Sequence, residues 1–199
     1  MQNLVSKRVG RTTSQRPHIN AQSKVVERDG RVVSIRVATP RDKGKLREMF
    51  SRLSPETIYR RFHIPYRHVP ERMLDLMLDV DHHAGKSLLA VVGQEIIGHA
   101  MYVRFGDSSE AEMAIVVEDR WQSKGVGKLL LSELAERARL RGIESFTGEV
   151  LRKNRRMLGL AAVFAETNYT IEDGLWHVRM PLRTLESTSC APRTLRRAA

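Results

Sequence analysis

Gln122-Ser123-Lys124-Gly125-Val126-Gly127 is the most informative stretch of this sequence. The apolar run before it, residues 111–117, predicts a buried strand. The run after it, residues 126–141, carries apolar side chains at the spacing of one helix face and ends just before Gly142. The stretch is therefore expected to be the turn between a strand and a helix.

This turn has the properties of a phosphate-binding site. Gly125 and Gly127 lack a Cβ atom, so the main chain can turn sharply and a ligand can approach it closely. The first N–H groups of a helix have no partner inside it, and the helix dipole favours an anion there. Lys124 and Lys128 add positive charge. The alternative is an ordinary strand-to-helix turn whose glycines serve packing.

Length and composition favour one globular domain. The chain has 199 residues, of which 41% are hydrophobic, and this is enough for a single core. The only cysteine, Cys190, cannot form an internal disulfide, which fits a reducing compartment. No apolar run reaches the roughly 18 residues of a membrane span, and no secretory signal is recognised. We therefore expect a cytoplasmic protein that does not associate with membranes.

The net charge of +11 is concentrated at the two ends. Residues 1–30 carry +4, residues 183–199 carry +3, and the long middle section, 31–182, carries only +4. The first segment is rich in Ser, Thr, Gln and Arg, so we expect a disordered basic tail there and a flexible basic tail at the other end. Such tails can contact nucleic acid non-specifically, but a true nucleic-acid function is not expected.

The middle section, 31–182, is predicted to be one α/β (α+β) domain. Its strands are expected over 31–38, 87–92, 95–105, 110–117, 143–151, 169–171 and 175–182. Helices are expected from Thr39-Pro40, Ser54-Pro55, Pro70-Glu71, Val126 and Asn154.

The Gln-x-x-Gly-x-Gly pattern at 122–127 resembles the acetyl-CoA-binding motif of the GNAT N-acetyltransferase superfamily, Gln/Arg-x-x-Gly-x-Gly/Ala. Two further stretches, 53–62 (Leu-Ser-Pro-Glu-Thr-Ile-Tyr-Arg-Arg-Phe) and 148–158 (Gly-Glu-Val-Leu-Arg-Lys-Asn-Arg-Arg-Met-Leu), resemble bacterial Pat-type protein lysine acetyltransferases. The resemblance covers residues 31–182. It implies a GNAT-like, mostly antiparallel sheet of about seven strands flanked by helices.

The resemblance also implies a chemistry and a catalytic residue. An amine must lose a proton before it attacks a thioester, and the pKa of a free lysine is about 10.4. A carboxylate can accept that proton. The Pat-type pattern places its catalytic glutamate at Glu112. The alternatives are that Glu112 is an ordinary solvent-facing strand residue, or that Glu110 replaces it as the base.

Acetyl-CoA, used as a co-substrate without a metal, is expected to contact one set of residues. The superfamily strand before the turn pairs with the pantetheine arm and supplies an N–H to the thioester. Asn154 either caps a helix only or also contacts the coenzyme. The expected contacts are Ile115, Val116, Val117, Gln122, Ser123, Lys124, Gly125, Val126, Gly127, Lys128 and Asn154.

The sequence departs from the superfamily pattern at two points. Many members carry a tyrosine seven residues after the capping asparagine, as the acid for the leaving thiolate, and Ala161 stands there instead. The usual Gly-Phe after this helix is also missing, and residues 165–169 stand in its region. The acid for the thiolate therefore stays unassigned.

Two other sequence motifs do not indicate binding sites. Gly85-Lys86-Ser87 looks like the end of a P-loop, but Val80 occupies the position of its first glycine and a strand follows. Asp79, Asp81, His82 and His83 could suggest a metal site, but adjacent histidines on a loop are more often surface residues.

The sequence therefore predicts an N-acetyltransferase that acetylates a primary amine, with a protein lysine favoured as the acceptor. An acetyltransferase for a small amine or polyamine is one alternative. A non-catalytic module that binds CoA or uses its basic tails for interaction is the other.

Overall fold

The computed structural model describes residues 24–28, 30–79, 84–164 and 166–182. The strands are β1 (Lys24–Arg28), β2 (Arg31–Val37), β3 (Gly85–Val92), β4 (Glu95–Arg104), β5 (Glu110–Val117), β6 (Ser145–Leu151), β7 (Asn168–Glu172) and β8 (Leu175–Pro181). The helices are α1 (Lys43–Ser51), α2 (Pro55–Phe62), α3 (Glu71–Leu78), α4 (Val126–Arg139) and α5 (Arg155–Ala161). Every helix and strand predicted within 31–182 is present, with ends shifted by a few residues.

One eight-stranded sheet, in the order β1-β2-β3-β4-β5-β6-β8-β7, forms the middle of the molecule. All neighbouring strands are antiparallel except β5 and β6, which are parallel because α4 crosses over between them. The prediction of a mostly antiparallel sheet of about seven strands is confirmed, since β2 to β8 are the seven expected strands.

The eighth strand, β1, corrects the prediction of disorder over residues 1–30. Lys24–Arg28 pairs antiparallel with β2, from Lys24 opposite Ile35 to Arg28 opposite Arg31. The missed signal is the Asp29-Gly30 pair, a strong hairpin sequence, and Gly30 has the positive φ of 68° that such a turn requires. The rest of both proposed tails lies outside the described residues, so their disorder stays a prediction.

Helices cover both faces of the sheet. On one face α4 buries Leu130, Leu134 and Ala138 against the strands. On the other face α1, α2 and α3 cover a second core that includes Val116 of β5. Since side chains alternate along a strand, β5 directs 111, 113, 115 and 117 toward α4, and 112, 114 and 116 toward α1 to α3.

The sheet opens between β5 and β6. Only Glu110–Glu112 pairs with Ser145–Thr147, whereas β5 stays paired with β4 as far as Val117. The N–H of Glu118 donates to the carbonyl of Ile97, 2.9 Å away. Because antiparallel pairing alternates along the strand, the main-chain groups of 113, 115 and 117 point away from β4 and into this gap.

Candidate active site

The gap between β5 and β6 continues into a cavity of about 380 Å³. Its walls come from α2, β5, the turn that starts α4, and α5. The lining residues are Thr57, Arg60, Arg61, Met113, Ala114, Ile115, Val116, Val117, Gln122, Ser123, Gly125, Gly127, Lys128, Asn154, Arg156, Met157, Gly159, Leu160 and Val163. The structure therefore brings most of the predicted binding residues together around one cavity.

One end of the cavity is formed by the first turn of α4. Ser123 and Gly125 both have positive φ, 60° and 81°, so both lie in the left-handed region just before the helix begins at Val126. The N–H of Leu129 makes the first bond of the helix, to the carbonyl of Gly125. The N–H groups of residues 126–128 have no partner inside the helix, and no side chain of the described residues caps it. This end is suited to bind an anion.

The two glycines of the turn serve different purposes. Gly125 holds a left-handed conformation, φ 81°, that other residues adopt with strain. Gly127 has ordinary helical geometry, and a Cβ atom on it would lie 3.5 Å from Leu160 Cδ2 and 3.8 Å from Val117 Cγ2. Since these are ordinary contacts, the protein has room for a methyl group at 127, which would project toward the cavity.

Gln122 ties the walls of the cavity together. Its side-chain Nε2 donates to the carbonyl of Val117 at 3.0 Å and to Thr57 Oγ1 at 3.2 Å, while Arg156 donates to its Oε1. We expected Gln122 to contact the coenzyme. In the structure its side-chain amide is hydrogen-bonded to β5, α2 and α5, so its observed contacts hold the walls of the cavity together.

Asp119 extends this network to the start of α2. It accepts hydrogen bonds from Thr57 Oγ1 at 2.7 Å, Ser54 Oγ at 2.8 Å and the N–H of Ser54 at 2.9 Å. Burial alone raises the pKa of Asp119, but these hydrogen bonds outweigh it and hold the pKa below its usual value. The first residues of α2 are thus fixed to the loop before α4.

Two predicted contact residues do not line the cavity. The Lys124 ammonium lies 5.4 Å from the centroid of the Trp121 ring. The side chain of Val126 is 1% exposed and belongs to the core under α4. Val116 lines the cavity, but its main chain faces β4, so Ile115 and Val117 are the neighbours that direct hydrogen-bonding groups into the gap.

Glu112 lies at the edge of the gap. It is exposed, as the solvent-facing alternative expected, but it is also the last residue of β5 that pairs with β6. Glu110 is engaged, since it accepts hydrogen bonds from Arg179 Nε at 2.6 Å and Ser145 Oγ at 3.1 Å. The bond from Arg179 lowers the pKa of Glu110 and weakens it as a base. Of the two carboxylates, Glu112 is better placed to accept a proton.

Arg61 lines the cavity, and the sequence predicted no function for it. Its Nε is buried and has no hydrogen-bond partner among the described residues, and its Cζ lies 4.9 Å from the centroid of the Phe62 ring. Burial lowers its pKa to about 10, and the negative charge of Glu112 acts in the opposite direction. The available signal was the 53–62 stretch, which carried the Pat-type resemblance. Neighbouring Arg60 instead pairs with Glu56 at 2.6 Å.

Asn154 directly precedes α5, and Ala161 is the last residue of this helix. Asn154 Oδ1 accepts a hydrogen bond from the N–H of Met157 at 3.2 Å, so it caps the helix, and it also lines the cavity. Ala161 is fully buried in the core. Among the lining residues that the structure describes, none is a tyrosine, cysteine, histidine, aspartate or glutamate.

The remaining sequence motifs lie elsewhere. Gly85-Lys86-Ser87 is the beginning of β3, and Asp79 follows α3 directly. Residues 81–83 lie outside the described part of the chain. Within the described ranges there is no group of three or more His, Cys, Asp or Glu that could hold a metal ion. None of the described helices is long and apolar enough to cross a membrane.

Comparison with known proteins places this cavity in a family. The sequence model of the acetyltransferase (GNAT) family matches residues 46–164. An acetyltransferase of Pseudomonas aeruginosa is 27% identical over 136 residues, which cover 66% of this chain and 73% of the relative. Acetyltransferase Pat of Mycolicibacterium smegmatis is 32% identical over 108 residues, which cover 52% of this chain but only 32% of Pat.

Solved structures agree with the sequence comparisons. The GNAT domain of S. lividans PAT superposes with a TM-score of 0.75 and 30% identity over 80% of this chain and 96% of that domain. Salmonella typhimurium yncA, solved with its cofactor acetyl-CoA, has a TM-score of 0.61 and 18% identity over 80% of this chain and 99% of its own. These findings confirm the GNAT fold and the resemblance to Pat-type acetyltransferases.

Proposed function

This chain belongs to the acetyltransferase (GNAT) family, and we propose that it transfers an acetyl group from acetyl-CoA to the side-chain amine of a protein lysine. The observation that carries the proposal is a cavity that joins an uncapped helix N-terminus to a strand edge with main-chain groups facing a gap in the sheet. Glu112 is not itself a lining residue, but it lies at the border of the same gap, next to the lining residue Met113.

The helix end of the cavity would hold the coenzyme phosphates. The free N–H groups at the start of α4 favour an anion, and Lys128, Arg60 and Arg156 line the same cavity. Coenzyme A carries three phosphates, so this concentration of positive charge supports its binding. Residues 122–128 and Asn154 would contact the phosphate-bearing part of the molecule, with the side chains of Lys124 and Val126 outside the cavity wall.

The strand edge would hold the pantetheine arm and the thioester. The main-chain groups of Ile115 and the N–H of Val117 face the gap, where no strand pairs with them among the described residues. The carbonyl of Val117 already accepts the hydrogen bond from Gln122. An extended pantetheine chain can take those hydrogen bonds as a neighbouring strand would. A main-chain N–H pointing into the gap would also donate to the thioester oxygen as negative charge develops on it.

Glu112 would act as the general base for the amine. The neutral amine nitrogen bonds to the acetyl carbonyl carbon, the carbon–sulfur bond breaks, and the proton of the amine passes to the Glu112 carboxylate directly or through water. Glu112 lies beside Met113, the first strand residue of the cavity wall.

A protein lysine is proposed as the acceptor because two Pat-type proteins match this chain. The similarity to Pat covers a third of Pat, and the S. lividans match covers its GNAT domain. A small amine or polyamine remains the competing acceptor within the same reaction class.

The test is incubation of the protein with acetyl-CoA and candidate proteins, such as an acyl-CoA synthetase, followed by mass spectrometry. Acetylated lysines that depend on the protein and fall sharply with Glu112→Gln would support the proposal. A parallel assay offers polyamines and measures release of free CoA. Turnover with polyamines alone would assign a small-amine acetyltransferase, and acetyl-CoA binding without any turnover would assign a non-catalytic module.

A further inference from the structure

Acetyl transfer leaves a negative charge on the sulfur of CoA. None of the residues in the proposed mechanism stabilises this charge. When the carbon–sulfur bond breaks, its electron pair stays on the sulfur of CoA. An alkyl thiol like that of cysteine has a pKa of about 8.5, so the thiolate is the less stable protonation state of the released sulfur at neutral pH. The superfamily tyrosine is replaced by Ala161, and the described cavity wall contains no other neutral acid that matches it.

Arg61 lines the cavity from α2. Its charge acts on Glu112 and on the fully buried His99, which lies opposite Val116 in the pairing of β4 with β5. Glu112 and Val116 lie on the same face of β5, the face covered by α1 to α3. Arg61 comes from α2, one of the helices on this face, and lines the cavity together with Val116.

The surroundings of Arg61 indicate a missing partner. Its Nε is buried without a hydrogen-bond partner in the described part of the chain, whereas buried donors in native proteins are nearly always satisfied. Arg60, one residue earlier on α2, already pairs with Glu56. Arg61 thus places a buried positive charge, not neutralised by a carboxylate in any ion pair among the described residues, in the wall of the cavity that is proposed to hold the thioester.

We infer that Arg61 stabilises the CoA thiolate as it leaves, and so takes the place of the missing tyrosine acid. The inference rests on the proposed function. Even with its pKa lowered to about 10, the Arg61 guanidinium keeps its proton near neutral pH, so it acts there as a fixed positive charge. A charge already placed in a water-poor site stabilises developing negative charge more strongly than one in water. The amine proton passes to Glu112, and the thiolate, held by Arg61, takes a proton from water afterwards.

The test compares the binding of CoA with that of desulfo-CoA, which lacks only the sulfur, by calorimetry from about pH 6 to about pH 9.5. If the site favours the thiolate, the affinity for CoA relative to that for desulfo-CoA rises with pH. Each unit by which binding lowers the thiol pKa increases the total rise of this ratio by a factor of about ten. We expect a rise of about tenfold or more. A change of charge on protein groups that do not contact the sulfur affects both ligands and largely cancels in the ratio.

Three variants test whether Arg61 causes the rise of this affinity ratio with pH. Arg61→Gln is expected to make the ratio independent of pH, and Arg61→Lys, which keeps the charge, to retain part of the rise. Arg60→Gln removes an equal positive charge from the same cavity. It is expected to keep the full rise of the affinity ratio with pH, even where its affinity for both ligands changes. A flat ratio in the parent protein, or an equal rise in Arg61→Gln, overturns the inference. If the parent protein binds neither ligand, the proposed function itself fails.

Discussion

The side-chain Nε2 of Gln122 donates a hydrogen bond to the main-chain carbonyl of Val117, 3.0 Å away. Val117 is the last residue of β5, so this bond closes the far end of the gap between β5 and β6. The same nitrogen reaches Thr57 Oγ1 of α2, and Arg156 of α5 donates to the amide oxygen. One side chain thus sets the distance between three walls of the cavity.

Replacing Gln122 with alanine is expected to lower both stability and acetyl-CoA affinity. The substitution leaves a partly buried carbonyl without its donor, which costs about 1–3 kcal/mol of unfolding free energy. Urea denaturation and calorimetry measure the two effects. Gln94→Ala is the matched control, because Gln94 is exposed and accepts a hydrogen bond only on the surface, from Lys45. Equal results for both variants would show that Gln122 does not hold the cavity.

Glu112→Gln is expected to keep acetyl-CoA binding and lose about 10²–10⁴-fold in kcat, the usual contribution of a general base. Raising the pH should partly restore the rate, since the neutral amine becomes more abundant. The measurement is kcat against pH with one acceptor peptide.

Glu110→Gln serves as the control for Glu112. Its carboxylate is occupied by Arg179 and Ser145, so we expect a much smaller change in kcat. Unchanged kcat in Glu112→Gln at neutral pH, with chemistry rate-limiting, would move the base to Glu110, to another residue or to solvent.

Gly127→Ala is expected to weaken acetyl-CoA binding without loss of stability. The added methyl group meets only ordinary contacts with Leu160 and Val117, but it projects toward the cavity beside the proposed phosphate site. Gly125→Ala is less informative because its positive φ adds backbone strain. Gly44→Ala in α1, where a methyl group would meet nothing within 4 Å, is the control and should bind acetyl-CoA normally. Unaltered affinity in Gly127→Ala would remove the turn from the binding site.

Asp42→Asn is expected to lower the free energy of unfolding by about 2 kcal/mol at neutral pH. The hydrogen bond from Arg36 is the main cause that lowers the pKa of Asp42 to about 2, against burial, which raises it. Because the folded-state pKa lies below the unfolded one, the contribution is complete above about pH 4 and disappears as the pH falls toward about 2. Urea denaturation across this range tests the sign, with the exposed Asp107→Asn as a control. A difference in unfolding free energy between Asp42→Asn and the parent protein that persists at low pH would contradict the prediction.

Removal of residues 1–23 and 188–199 is expected to leave the fold and acetyl-CoA binding in place. The same truncation should remove most non-specific binding to DNA or heparin, since much of the excess positive charge lies in these ends. Removal as far as residue 28 deletes β1, exposes the edge of β2, and should lower the thermal midpoint. Loss of acetyl-CoA binding in the shorter truncation would place a tail residue in the site.

The sequence predicted the strands, helices and turn because these depend on local patterns. Gly125 and the apolar period of α4 are examples, and both are found where expected. The roles of Gln122 and Arg61 depend on which elements meet in three dimensions. Thr57 and Arg156 lie far from Gln122 in sequence, and the buried environment of Arg61 arises only when α2 packs on β5. Neither arrangement is visible in a periodicity.

The early end of the β5–β6 pairing has a thermodynamic consequence. In the proposed complex the pantetheine arm fills the position of a missing strand beside residues 113–117, so binding completes the sheet. Ligand and folding are then linked, because only the folded chain offers this edge. At a coenzyme concentration of 100 times the dissociation constant, the native state gains about 2.7 kcal/mol. The resistance of this protein to heat and proteolysis would thus follow the cellular supply of acetyl-CoA.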